Sequence, residues 1–139
     1  MKTTIDIKKI RYLNIFEKIT NVRSKDCFFY NNIVFFVIKQ KDLFKAIGKN
    51  SKNLKEISKV IGKKIKVIPY TSKLKDAPKF IKQLISPIEI NNIIIENGII
   101  KIEAGSRQNK AILIGREKKR LEEMKEIIKN FFGLDLQII

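Results

Sequence analysis

Apolar and polar positions divide the first 70 residues into six segments. Apolar residues at helical spacing over residues 4–23 predict an amphipathic helix. Two apolar runs around Asn31-Asn32 then predict a hairpin, because Asn tolerates a positive φ. Two short helices and an alternating strand follow. In chain order, the segments are the helix stripe Ile10, Leu13, Phe16, Ile19 and Val22; the strands Cys27–Tyr30 and Ile33–Lys39; a helix opened by Asp42 with Leu43, Phe44 and Ile47; a helix with Leu54, Ile57, Val60 and Ile61, ended by Gly62; and the strand Lys63–Tyr70.

The same order of elements returns after a polar connector, residues 71–75. Pro78 in a first helical turn and the pair Asn97-Gly98 between two apolar runs are strong helix and hairpin signals. In chain order, the segments are a helix capped by Asp76 with Ala77, Phe80, Ile81, Leu84 and Ile85; the strands Ile88–Glu96 and Ile99–Ala104; the helix Arg107–Ile114; a helix with Leu121, Met124, Ile128 and Phe131, ended by Gly133; and the strand Asp135–Ile139.

The spacing of the two halves also agrees. Ile47-Gly48 and Ile114-Gly115 lie 67 positions apart, and so do Leu54 and Leu121. Two copies of one small α+β module, each with the order αββααβ, are therefore predicted. The expected domains are residues 1–70 and 76–139, joined by the connector 71–75.

Charge indicates a polyanion as the partner. The chain has 30 basic and 14 acidic residues, a net charge of +16 and a pI near 10.0. Residues 1–70 hold 17 basic and five acidic side chains, whereas residues 71–139 hold 13 and nine. Such a basic domain attracts nucleic acid because each neutralised phosphate releases counterions. The stronger contact is expected in the first half.

Composition argues against an enzyme. The chain has no histidine and one cysteine, so it lacks the commonest general base and the usual zinc ligands. No catalytic constellation, metal site, cofactor or small-molecule substrate is predicted. No apolar run approaches the roughly 20 residues that span a bilayer, and the N-terminus has no signal-peptide core. A soluble cytoplasmic protein without membrane contact is expected.

The segment Gly48-Lys49-Asn50-Ser51 is the main candidate for binding. A glycine between two short helices permits a tight corner and lets a sugar-phosphate backbone approach closely. The second helix directs unpaired N–H groups and its positive dipole end to the same place. Lys49 and Lys52 add charge, and Asn50 adds donors. Bases of an extended strand are expected to rest on aliphatic side chains, with Ile47 and Ile65 as candidates.

The residues Ala46–Val67, A-I-G-K-N-S-K-N-L-K-E-I-S-K-V-I-G-K-K-I-K-V, resemble the signature of type II KH domains. The resemblance is closest to the short archaeal form of the NusA family of transcription factors, and it covers nearly the whole chain. It implies two tandem type II KH domains that bind single-stranded RNA, association with RNA polymerase, and a role in transcription elongation or termination.

Two departures from the family turn, Gly-x-x-Gly, make the prediction asymmetric. Ser51 replaces the last glycine of the first turn, and as a small residue it is expected to cap the next helix. The second turn, Gly115-Arg116-Glu117-Lys118, ends in a bulky lysine and contains an acid. Arg116, Lys118, Lys119 and Arg120 still supply attraction to phosphate from their side chains, but a purely structural corner is favoured there.

Two other functions remain open from the sequence. One is a ribosome-associated or RNA-chaperone protein that uses the same domains on structured RNA. The other is a basic protein–protein adaptor whose turns are only corners.

Overall fold

The computed structural model describes residues 4–139, and their side chains from Asp6 onward. These residues divide into two compact units, with the boundary between Tyr70 and Thr71. Each unit has the order helix, strand, strand, helix, helix, strand. The α+β class and the repeated αββααβ order are confirmed. Within residues 4–139, no helix is both long and apolar enough to cross a membrane.

The first unit forms a three-stranded mixed sheet with three α-helices. Its elements are α1 (Thr4–Thr20), β1 (Asp26–Tyr30), β2 (Ile33–Ile38), α2 (Leu43–Ile47), α3 (Lys52–Ile61) and β3 (Lys64–Pro69). The sheet order is β1-β2-β3; β2 pairs antiparallel with β1 and parallel with β3. Asn31 and Asn32 both have positive φ, as a two-residue hairpin requires.

Helices cover one face of this sheet. Phe16, Ala46 and Ile57 are fully buried with Val34 and Phe36 of β2. The rings of Phe16 and Phe36 stack with centroids 4.4 Å apart. Because these five side chains come from four elements, the core fixes α2 and α3 relative to the sheet. The corner between these two helices is thereby placed beside β3.

The first helix departs from the prediction in length and in its buried side. It ends at Thr20 rather than at residue 23, where Asn21 turns into a positive φ and the Thr20 hydroxyl accepts the Val22 N–H at 3.0 Å. Ile10, expected to face the core, is 41% exposed, while Tyr12 is buried. Tyr12 packs edge-on against Phe29, so the buried side of the helix includes Tyr12 and Phe16 but not Ile10.

The second unit repeats the architecture with longer final helices. Its elements are α4 (Ala77–Ile85), β4 (Asn92–Glu96), β5 (Ile99–Glu103), α5 (Arg107–Ile114), α6 (Lys119–Phe132) and β6 (Asp135–Ile138). Its sheet order is β4-β5-β6, again antiparallel and then parallel. Fully buried core residues include Phe80, Ile81, Ile100, Leu113, Met124 and Ile128.

Two local predictions for this unit are wrong. The strand predicted from Ile88 begins at Asn92, because the chain is still turning at Ile88, whose N–H donates to the Ile85 carbonyl at 3.0 Å. Asp76 makes no capping hydrogen bond to α4. Its carboxylate accepts the Thr71 hydroxyl at 2.9 Å instead.

Candidate nucleic-acid interface

The first glycine turn is a tight corner between α2 and α3. Gly48 has φ 78° and ψ 164°, a region that is accessible essentially to glycine alone. Asn50 and Ser51 follow with φ of 56° and 59°. The Gly48 amide donates to the Phe44 carbonyl at 3.0 Å and the Ser51 amide to the Gly48 carbonyl at 3.1 Å. The turn is thus closed by its own backbone.

Asn53 packs against Gly48 and links the two helices of the corner. Its side-chain amide donates to the Lys45 carbonyl at 3.1 Å, which satisfies a carbonyl near the end of α2. A Cβ on Gly48 would lie 2.9 Å from the Asn53 Cγ and 3.1 Å from its backbone nitrogen. Glycine is therefore required at position 48 both for its backbone angles and for space.

The outer side of the corner is open and basic. Lys49, Asn50, Ser51 and Lys52 are all exposed. Among the described residues, the amides of Lys49 and Asn50 have no acceptor, so both are available to an outside oxygen. The corner also leads into the N-terminus of α3, where the helix dipole favours an anion. Ser51 makes no capping hydrogen bond to α3, contrary to expectation.

The second glycine turn has nearly the same backbone. Gly115 has φ 76° and ψ 171°, and Glu117 and Lys118 have φ of 56° and 61°. Arg120 takes the role of Asn53: its guanidinium donates to the Ile112 carbonyl at 3.1 Å, and its Cγ lies 2.9 Å from a Cβ built on Gly115. Lys118 at the fourth position does not change the shape of the corner.

A groove of about 430 Å³ lies in the first unit, between α3 and the start of β3. Its charged lining residues are all lysines: Lys55, Lys59 and Lys64. Leu54 and Ile65 add apolar surface. Positive charge therefore lies both at the N-terminus of α3, in Lys52, and along the groove between α3 and the edge strand β3.

The equivalent groove of the second unit, of about 800 Å³, lies between α6 and β6 and has a mixed lining. It contains Lys119, Lys125 and Lys129 together with four carboxylates, those of Glu122, Glu123, Glu126 and Asp135. Two of these lysines pair with acids across the groove or along the helix: Lys129 lies 3.7 Å from Asp135, and Lys125 lies 3.9 Å from Glu122.

The two grooves have opposite charges at matched positions. The 67-residue repeat that aligns the corners places Glu122 at the position of Lys55 and Glu126 at that of Lys59. Asp135 matches Lys64, because each begins the third strand and pairs with the first residue of the second strand, Ile99 or Ile33. Three lysines of the first groove are therefore three acids in the second.

The predicted contact residues divide into two groups. Gly48, Lys49, Asn50, Ser51 and Lys52 form one continuous corner, as do Gly115, Arg116, Lys118 and Lys119 in the second unit. Ile47 is half-buried beside the first corner. Ile65, expected as a platform for a base, belongs to the core of the first unit and is 8% exposed. Only the edge of its side chain can contact a ligand.

Sequence reasoning missed two kinds of feature at this site. The groove lysines come from α3 and β3, so their shared lining is visible only in three dimensions. The sequence places Phe44 with the apolar residues of α2, Leu43 and Ile47, yet its side chain is 92% exposed one helical turn before Gly48. The signal was available, because Leu43, Ala46 and Ile47 already complete the inner face of so short a helix.

Cys27 is a free cysteine that is fully buried in β1. Burial raises the pKa of its thiol to about 12, and the charge of Asp26 adds to this effect, while Lys9 opposes it. The thiolate is therefore scarce at neutral pH, and the thiol is unreactive.

The chain has clear archaeal relatives, although no family model matches it. It is 31% identical over 134 residues to the "Probable transcription termination protein NusA" of Methanocaldococcus jannaschii, covering 92% of this chain and 70% of that protein. It is 28% identical over 138 residues to the protein of the same name from Methanococcus vannielii, covering 96% and 78%.

The fold also matches a solved structure. The crystal structure of APE1850 shares 26% identity with this chain at a TM-score of 0.61, covering 96% of this chain and 99% of that one. The match therefore extends over both units. From these relatives and the two αββααβ units, the chain belongs to the archaeal NusA family.

Proposed function

We propose that this protein binds single-stranded RNA through the first glycine corner and the groove beside it, and that it acts in transcription elongation or termination. The observation that carries the proposal is the positive charge along α3 of the first unit. A corner with two available amides leads into the N-terminus of this helix, and the same helix lines a groove whose charged side chains are all lysines. These are the groups that hold a phosphate backbone without reading its sequence.

The corner would hold one phosphate by short contacts. The Lys49 and Asn50 amides donate to its oxygens, and the N-terminus of α3 favours its charge. The Lys49 and Lys52 ammonium groups neutralise it from the solvent side. Gly48 keeps the backbone free of a Cβ, so the sugar-phosphate chain can approach closely.

The groove would hold the nucleotides next to that phosphate. Its three lysines lie on both walls, Lys55 and Lys59 on α3 and Lys64 on β3, so they can follow a strand that runs between the walls. A KH-type site of this kind holds about four nucleotides. Ile47 offers apolar surface to a base at the end of the groove next to the corner, and Ile65 only its exposed edge.

The second unit would contribute weaker attraction from its corner. Gly115 has the right backbone, and Arg116, Lys118 and Lys119 add positive charge. Glu117 sits where Asn50 offers a donor, however, and the adjacent groove has four carboxylates that repel phosphate. Tight binding is therefore assigned to the first unit.

The cellular role rests on the relatives. Proteins 28–31% identical to this chain are described as probable transcription termination proteins. We extend that role to this chain, with the transcript as the ligand, RNA polymerase as the protein partner and the cytoplasm as the compartment. Because the mechanism is binding alone, no cofactor is needed.

Two double variants, one in each glycine corner, test the proposal. K49D/N50D places two carboxylates where the first corner faces the phosphate, and it should weaken binding of a short single-stranded RNA at least tenfold. R116D/K118N removes the same three units of charge from the second corner and should weaken binding less than threefold. Fluorescence anisotropy of a labelled oligomer measures both.

Circular dichroism must show that both variants remain folded. Equal losses in the two variants would show that the second corner binds as strongly as the first. No loss in K49D/N50D, or no affinity of the wild type for single-stranded RNA, would reject the proposal and favour an adaptor that uses its basic surface on an acidic protein.

A further inference from the structure

Phe44 is the most exposed large hydrophobic residue in the part of the chain that the structure describes. Its side chain is 92% exposed, whereas Phe16, Phe28, Phe35 and Phe36 are buried. An isolated surface aliphatic residue is ordinary, and Val60 on α3 is an example at 54%. An exposed aromatic ring beside the proposed binding corner differs from an exposed aliphatic side chain, because its flat face can contact a ligand.

The position of Phe44 is set by the corner itself. Its carbonyl accepts the Gly48 amide at 3.0 Å, so the residue lies one helical turn, about 5.4 Å, before the glycine. Residues four apart share a face of a helix, and residues three apart are also neighbours. Phe44 therefore stands next to half-buried Ile47 and on the face that leads to the corner.

The surroundings of the ring are cationic. Lys41, Lys45, Lys49 and Lys52 are exposed on α2, on the corner and on the 3-10 turn that precedes α2. In the second unit, the 67-residue repeat places Ala111 at the position of Phe44. The ring is thus present only in the unit whose groove is lined by lysines.

We propose that Phe44 is a stacking platform for one base of the RNA, outside the groove and next to the phosphate held at the corner. The inference rests on the proposed function. A base can stack on the ring irrespective of its identity, because every base has a π-face. The platform would lengthen the bound segment by a nucleotide and strengthen binding with little sequence preference.

Substitutions that separate aromatic from apolar character test the platform. F44A and F44L should each weaken binding of a single-stranded RNA oligomer about five- to a hundredfold, the range for loss of one stacked base. F44Y and F44W should bind like the wild type. Since Phe44 is exposed, these variants should remain folded, and V60A provides a matched apolar control that should leave affinity unchanged.

Two further measurements report on the base directly. The chain has no tryptophan, so F44W introduces a single indole whose fluorescence should be quenched when a base stacks on it. An oligomer of the same length with abasic positions keeps the phosphates and removes the π-faces. It should bind the wild type and F44A equally, and it should not quench F44W.

The outcomes separate this inference from the function on which it rests. If K49D/N50D weakens RNA binding but F44A does not, and F44W fluorescence is unchanged by RNA, the platform is rejected while RNA binding stands. If F44L binds as tightly as the wild type, the ring acts as general apolar surface and stacking is rejected. If the wild type binds no RNA, both proposals fail together.

Discussion

At the scale of single residues, the corner depends on a pair five positions apart. Gly48 supplies backbone angles that other residues avoid, and Asn53 fills the space that a side chain at position 48 would need. Gly115 and Arg120 repeat this arrangement. Gly48 is therefore required by the structure of the corner, and this requirement does not depend on a ligand.

Two glycine substitutions distinguish the cost of a steric clash from the cost of an unfavourable backbone angle. G48A should lower the free energy of unfolding by about 3 kcal/mol, the upper end for a strained backbone, because its Cβ also meets Asn53. G62A, at a φ of 78° with nothing within 4 Å of its Cβ, should cost about 1 kcal/mol. Urea denaturation followed by circular dichroism measures both. Equal costs would show that the contact with Asn53 relaxes easily.

At the scale of elements, helix and strand together decide what each unit can bind. The corner backbone is the same in both units, but the α3–β3 groove carries three lysines where the α6–β6 groove carries three acids. Shape alone therefore does not distinguish the units. Charge on the groove walls does.

An exchange of groove charges tests this distinction. In the K49D/N50D background, the triple change E122K/E126K/D135K should raise affinity for single-stranded RNA at least tenfold, because three repulsive contacts become attractive. The same number of lysines placed outside the groove, for example E89K/E96K/E103K, should raise affinity much less. Equal gains from the two sets would mean that net charge, and not the groove, governs binding in the second unit.

Periodicity predicted most elements because the apolar side of each helix faces one sheet. The helix Arg107–Ile114 and both two-residue hairpins were predicted correctly. The failures are at element ends, such as Thr20 and Asn92, where a hydroxyl or a turning backbone decides the boundary. Within the site, the glycine turn is local in sequence and could be predicted. The lysines that line the groove could not be predicted, since they come from both α3 and the strand that follows the next turn.

At the scale of the whole molecule, the surplus of positive charge is concentrated in residues 1–70. Long-range attraction would bring RNA to the protein, and the first corner and groove would then fix its place. Only the lysines in contact with phosphate contribute to the salt dependence of affinity. That dependence therefore distinguishes direct phosphate contact from long-range attraction.

The salt dependence counts these contacts. If roughly four phosphates are neutralised, the slope of log affinity against log salt should be about −2.8, equal to a loss of roughly 50-fold between 50 and 200 mM salt. K55Q/K59Q/K64Q should reduce the slope by about 2. R116Q/K118Q/K119Q, the control in the second corner, should change it by less than about 1. A slope unaffected by the first triple variant would remove the groove from the site.

The two glycine corners also bear on how such repeats diverge. Their shape is set by a glycine and the side chain five residues later, while the four residues between them, together with the charges of the adjacent groove, would set the affinity for a ligand. The shape of the corner and its affinity for a ligand can thus change independently after a duplication. One copy can lose affinity for its ligand while its backbone keeps the same course. A few substitutions would then be enough to restore that affinity.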